Sequence, residues 1–191
     1  MKIILLFTCL NLLFLNSFSQ KTVSCSMETS MGNIQFELYS EKAPLTVANF
    51  LKYVDQQLYD ETSFYRVCTP ENEKDRTVKI EVIQGGDVPE AKQFEPIPIE
   101  TTKQTGITHQ NGTLSMARDK PNSATSSFFI CINNQPELDF AGKRNPDGQG
   151  FAAFGRVTKG MKVVKKIQEL KESGQYLIEP VGIQSIRRID K

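Results

Sequence analysis

The chain of 191 residues contains one histidine, His109. It lies in a loop-like stretch beside Gln110-Asn111-Gly112, and its expected state is that of a solvated loop residue. A single loop histidine without a nucleophile elbow gives a hydrolytic triad no general base. Gly148-Gln149-Gly150 looks like part of a phosphate-binding loop. No Lys-Ser/Thr ending follows it, and turn residues precede it instead of a strand, so it reads as a turn. No C-x-x-C or histidine-rich spacing occurs, so no metal site is expected. Asn111-Gly112-Thr113 fits the glycosylation pattern, which matters only where the host secretory pathway uses it.

Composition narrows the class further. The chain is 39% hydrophobic and 24% charged, an ordinary globular balance. Lys and Arg total 23 against 22 acids, without the basic excess that phosphate binding leaves. Nucleic acid is therefore not an expected partner.

The N-terminus reads as an export signal. Met1-Lys2 is a basic start, Ile3 to Leu15 is almost wholly apolar, and Ser17 and Ser19 are small residues two apart. The expected cut lies between Ser19 and Gln20, giving a signal peptide over 1–19 and one domain over 20–191. The apolar run is too short for a spanning helix, so no stable membrane association is expected after cleavage. The product is expected to be exported, periplasmic or secreted, and to act as a monomer. Removing 1–19 takes away only Lys2 among the charges, so acids and bases balance. Three cysteines remain, Cys25, Cys68 and Cys131. An odd count argues against a disulfide framework and leaves open a single pair.

The elements that must position any site follow from periodicity. Lys21 to Ser30 and Gly32 to Tyr39 read as two strands, with Ile34, Phe36 and Leu38 alternating against Gln35 and Glu37. Pro44 suits a first helical turn. Val47, Phe50, Leu51, Val54 and Leu58 then form one apolar helical face. Ser63 to Cys68 is a strand, Thr69 to Lys79 a charged surface loop, and Ile80 to Gln84 a further strand. Thr113 to Ala117 and Ser127 to Ile132 read as short buried strands, and Phe151 to Val157 as another. Met161, Val164, Ile167 and Leu170 mark a second helix with Gly174 just past its end. Gly182 to Ile189 closes the chain as a strand. About eight short strands with one early and one late helix favour an all-β fold, a closed antiparallel barrel or a sandwich, with the helices over its open ends.

Four segments remain: Phe64-Tyr65-Arg66-Val67, Val82-Ile83-Gln84-Gly85-Gly86-Asp87, Gly112-Thr113-Leu114-Ser115-Met116-Ala117-Arg118, and Ser123-Ala124-Thr125-Ser126-Ser127-Phe128-Phe129-Ile130. Leu138-Asp139 and Phe154-Gly155-Arg156-Val157 continue in the same order. Together, over Val23 to Ile189, they resemble the cyclophilin family of peptidyl-prolyl cis-trans isomerases. The resemblance implies an eight-stranded closed antiparallel β-barrel with two capping helices, and rotation about X-Pro bonds as the activity. It implies no cofactor, and proline-containing polypeptide clients as partners. Arg66 matches the catalytic arginine. Val82, Phe129 and Leu138 match walls of the proline pocket, and Gln84 matches a group that holds a substrate carbonyl. Ala117 and Arg118 match positions that meet the peptide through backbone, and Phe151 falls near the usual pocket histidine. Strand alternation puts Phe128 and Phe129 on opposite faces, and the resemblance implies that Phe129 faces the pocket and Phe128 the interior.

The activity makes sense of these residue types. The planar amide has a rotation barrier of about 18–20 kcal/mol. No covalent bond is made or broken, so neither nucleophile nor metal is needed. Twisting destroys the amide resonance and makes the proline nitrogen a better acceptor, so a fixed cationic donor binds the twisted state best. The chain also departs from the family pattern. Tyr65 stands where a histidine often precedes the arginine, and Glu81 and Glu137 stand where aromatics usually flank the pocket. Loop 69–79 is longer than in compact members. Those changes place substrate preference and cyclosporin-type inhibitor binding apart from the family norm. Two alternatives remain: a proline-recognising binding module or chaperone with negligible turnover, and an unrelated barrel with Arg66 and Phe129 on different faces.

Overall fold

The computed structural model describes residues 22–189. The expected signal peptide and its cut therefore lie outside the described residues.

Alternation builds the sheet. β1 (Val23–Thr29) and β2 (Gly32–Leu38) form a hairpin in which Cys25 faces Phe36 and Met27 faces Ile34, all four fully buried. The remaining strands are β3 (Thr62–Cys68), β4 (Val82–Gly85), β5 (Thr113–Met116), β6 (Phe128–Cys131), β7 (Ala152–Lys159), β8 (Glu172–Ser173) and β9 (Tyr176–Arg188). The sheet runs β1-β2-β7-β5-β6-β4-β3-β9, and β9 pairs back onto β1. Eight antiparallel strands thus close a barrel and leave no long free edge. The ninth strand, β8, is a two-residue addition on β9.

The barrel interior is filled. Phe50 on α1 (Pro44–Asp55) makes edge or tilted contacts with Phe36, Tyr59, Phe128 and Phe154, at ring separations of 5.9, 5.0, 5.4 and 5.2 Å. Such aromatic pairs add about 0.5–1.5 kcal/mol each beyond their burial. α1 packs against β7 and β9, and α3 (Met161–Gln168) packs against β2, β3 and β4. A short α2 (Thr102–Thr105) carries a capping box between Thr101 and Gln104. No helix among the described residues is long and apolar enough to cross a membrane.

Three expectations about element ends need correction. The first helix stops at Asp55, because Gln57 takes a positive φ of 57° and turns Leu58 back so that its N–H meets the Tyr53 carbonyl. The last helix stops at Gln168, and Gly174 lies not at its end but in the β8–β9 turn. The closing strand starts at Tyr176, six residues before Gly182. Between Tyr176 and Val181 its register against β3 shifts, and Pro180 occupies that irregular stretch, where a missing N–H is tolerated. Among the described residues Cys25, Cys68 and Cys131 are all free thiols and buried.

Candidate functional site

The site is a product of register. Arg66 on β3 faces Gln84 on β4, Gln84 faces Phe129 on β6, and Phe129 faces Ser115 on β5. Residues opposite one another across a sheet point to the same face. One row over four strands therefore carries a cation, an amide, an aromatic ring and a hydroxyl side by side. Two residues along the same strands, Cys68, Val82 and Cys131 form a parallel row. The alternate residues, Val67, Ile83, Met116 and Phe128, belong to the barrel core. Phe129 joins a second, smaller cluster with Val82, Leu138, Cys68, Cys131 and Ile80, with Ala117 and Phe151 packed on it. Phe128 and Phe129 thus lie on opposite faces, one in each cluster.

This second cluster is the floor of an open cavity of about 380 Å³, lined by Arg66, Val82, Gln84 and Ala117 on one part of its wall. Arg118, Phe129, Leu138 and Phe151 line it as well, so all eight singled-out residues share one cavity. Phe151 stands edge-on to Phe129, at 5.4 Å and 90°. Gly150 makes that placement possible. Its φ is 66°, and a Cβ there would lie 2.5 Å from the Leu138 carbonyl oxygen. The close approach seats the Phe151 N–H on the same carbonyl at 3.0 Å. The Arg118 side chain is committed within the cavity wall, its guanidinium 5.2 Å from the Phe151 ring centroid. It grips Asp147 with two donors and the Gly150 carbonyl with Nε at 2.9 Å and Nη2 at 2.6 Å. Its buried guanidinium thereby fixes the 147–150 turn.

Arg66 is held by neutral groups. Its Nη1 donates to Gln84 Oε1 at 2.8 Å, and its Nε and Nη2 donate to Gln175 Oε1 at 3.1 and 2.6 Å. Among the described residues no carboxylate forms an ion pair with it. Gln84 is oriented in turn by donating Nε2 to the Tyr65 hydroxyl at 2.7 Å. Tyr65, the residue in place of a histidine, thus supports an amide. Cys68 lies nearby, but burial pushes its thiol up to about 11 while Arg66 pulls the other way, so it is no nucleophile at neutral pH.

The polar residues His109 and Glu73 depart from their expected exposure, and Glu81 finds a partner away from the cavity. His109 is not solvated but 1% exposed. Its Nδ1 lies 2.7 Å from Asp139 Oδ1 and its Nε2 lies 2.9 Å from Ser115 Oγ, while its ring stacks on Phe129 at 6.0 Å. The Ser-His-Asp geometry is buried behind the pocket floor, where it fixes Phe129 from below. Its signal was Ser115 and Asp139 within the quoted motifs. Glu81 does not approach the groove, because both its oxygens accept from Asn133 Nδ2 at 3.1 and 3.2 Å. Glu73, inside the polar loop, is 1% exposed and ion-paired with Arg144. Burial alone would raise its carboxyl. The Arg144 guanidinium, the Ile80 N–H and Gln175 outweigh that and hold it below the ordinary value.

The comparisons identify the family. Residues 24–188 match the family model "Cyclophilin type peptidyl-prolyl cis-trans isomerase/CLD". A peptidyl-prolyl cis-trans isomerase of Acinetobacter baylyi is 34% identical over 180 residues, covering 93% of this chain and 88% of that one. Peptidyl-prolyl cis-trans isomerase B of Escherichia coli is 36% identical over 146 residues, 75% of this chain and 82% of its own. The crystal structure of a cyclophilin-type isomerase from Cryptosporidium parvum superposes with a TM-score of 0.72 at 22% identity, over 90% of this chain and 99% of that chain. That likeness speaks for the barrel alone, whereas the family match and the curated relatives speak for the activity. The chain is a peptidyl-prolyl cis-trans isomerase, and it belongs to the cyclophilin-type family.

Proposed function

We propose that the enzyme accelerates X-Pro rotation in exported, unfolded or partly folded polypeptides, with Arg66 as its catalytic residue. The observation that carries this reading is the guanidinium held by two neutral amide oxygens beside an apolar floor. Because its charge meets no carboxylate, it keeps its full strength for the nitrogen that pyramidalises as the amide twists. The proline ring rests on Phe129, Leu138, Val82 and Phe151. Gln84 donates one amide hydrogen to Tyr65 and has a second for a substrate carbonyl. Ala117 and Arg118 meet the peptide through backbone, since the Arg118 side chain is committed to the 147–150 turn.

A crystal structure of the Cryptosporidium parvum relative was determined in the presence of the dipeptide Ala-Pro, which supports a short X-Pro unit as the recognised element. The signal-like 1–19 segment supports export. Chains that fold after translocation meet proline exchange of about 10–100 s as a slow step. Two measurements test the proposal together. The enzyme should accelerate the proline-limited refolding phase of a denatured protein. Mass spectrometry of the extracytoplasmic fraction should find Gln20 at the mature N-terminus. A full-length chain recovered from the cytoplasm would remove the export half. Unchanged refolding alongside normal peptide turnover would remove the unfolded-client half.

A further inference from the structure

Loop 69–79 delivers a buried side chain to the rear of the catalytic group. Glu73 Oε2 accepts from the Ile80 N–H and from Arg144 Nη1, each at 2.8 Å. Glu73 Oε1 accepts from Arg144 Nη2 and, at 3.2 Å, from Gln175 Nε2. A carboxylate can only accept, so the Gln175 amide must turn its NH₂ toward Glu73 and its carbonyl away. That carbonyl is the oxygen chelated by Nε and Nη2 of Arg66.

The backbone at Gln175 argues in the same direction. Position 175 follows Gly174 in the β8–β9 turn with φ of 78°, in the left-handed region that favours glycine. The turn alone would choose a smaller residue, and the chain keeps a glutamine whose amide bridges the loop and the guanidinium. Gln84 works in the same way on the other edge: its NH₂ is committed to Tyr65, so its carbonyl faces Arg66. The guanidinium is thus clamped on two edges by amides whose orientation is set from behind.

We propose that Gln175 is a positioning residue for Arg66, and that Glu73 sets the orientation of the Gln175 amide, making loop 69–79 a working part of the catalytic apparatus. The inference rests on the reading of Arg66 as the catalytic residue. Gln175→Gly tests it, because glycine suits the turn while deleting the amide. Its kcat/KM on an Ala-Ala-Pro-Phe anilide should fall about 10- to 100-fold, in kcat more than KM, as misplacement of a catalytic group does. Its melting temperature should stay within a few degrees of the parent. The Arg66 Nε–H signal, identified by its absence in Arg66→Ala, should broaden or shift. Wild-type kinetics in Gln175→Gly would overturn the inference. So would an activity loss that follows a fall in melting temperature while the Nε–H signal stays unchanged. Full activity in Arg66→Ala would instead overturn the underlying reading, so the two failures are distinguishable.

Discussion

Arg66→Ala separates chemistry from folding. Arg66 is only partly buried and belongs to neither hydrophobic cluster. Its three hydrogen bonds end on Gln84 and Gln175, neither of which is fully buried, so both amides can find water when the guanidinium is removed. The stability loss should be about 1 kcal/mol, a melting shift of about 2–4 °C for a domain of this size. Turnover should respond on another scale. Deleting one preorganised donor typically costs about 10²–10³ in rate, or about 2.7–4 kcal/mol of transition-state stabilisation. Lysine should recover less than about tenfold, because a single ammonium cannot span both amide oxygens and still face the substrate. Turnover can be read with a proline tetrapeptide in a protease-coupled assay. Exchange broadening of the cis and trans signals of the same peptide serves as a protease-free control. A folded Arg66→Ala protein within about threefold of wild-type kcat/KM would refute the electrostatic mechanism.

Three further outcomes follow from the same geometry. Glu73 has a folded-state pKa below the ordinary 4.5, so its contribution is fully present above about pH 4.5 and is lost as pH falls through the lower folded value. Acid melting curves should steepen in that window. Glu73→Gln should flatten the slope while costing about 3–5 kcal/mol at neutral pH, since Arg144 is left buried without its partner. Gly150→Ala should destabilise by about 1–3 kcal/mol and raise KM, because the added Cβ drives the Leu138 carbonyl and Phe151 apart; thermal melts and peptide kinetics check both effects. Wild-type enzyme should bind cyclosporin-type inhibitors weakly. Glu137→Trp should tighten them about tenfold through added apolar contact, with little change in substrate rate, as a paired titration would show.

Much of this site was legible because it is written on strands. Period-2 alternation separated Phe128 from Phe129, the family resemblance said which of them faces the pocket, and antiparallel pairing aligned Arg66, Gln84 and Phe129 in one row. What stayed hidden lies in loops whose composition speaks for solvent but whose packing does not. His109 sits in a polar stretch, yet it is buried by Asp139, 30 residues later in the chain. Glu73 lies in a run of charges, yet Arg144 draws it inward from 71 residues away. Gln175 was missed for a different reason. Glu179-Pro180 interrupts the alternation of β9, so the strand appeared to start at Gly182, and the turn holding Gln175 passed for the end of a helix.

The departures from the family pattern separate once their side chains are placed. Glu81 and Glu137 stand where aromatics usually flank the pocket, but Glu81 faces Asn133 and the Glu137 carboxylate accepts from the Lys143 N–H at 2.8 Å. Neither lines the cavity. The rim therefore loses apolar contact without gaining a facing charge, which weakens a large apolar ligand more than a short peptide seated on the floor. Tyr65 and the long loop act at the other end. Tyr65 holds Gln84, and the loop, through Glu73, holds Gln175. Both changes bear on the two amides that fix the arginine, while Phe129, Leu138 and Phe151 keep an apolar seat. Altered inhibitor recognition and retained turnover are thus compatible, because the residues that changed at the rim are not those that aim the guanidinium.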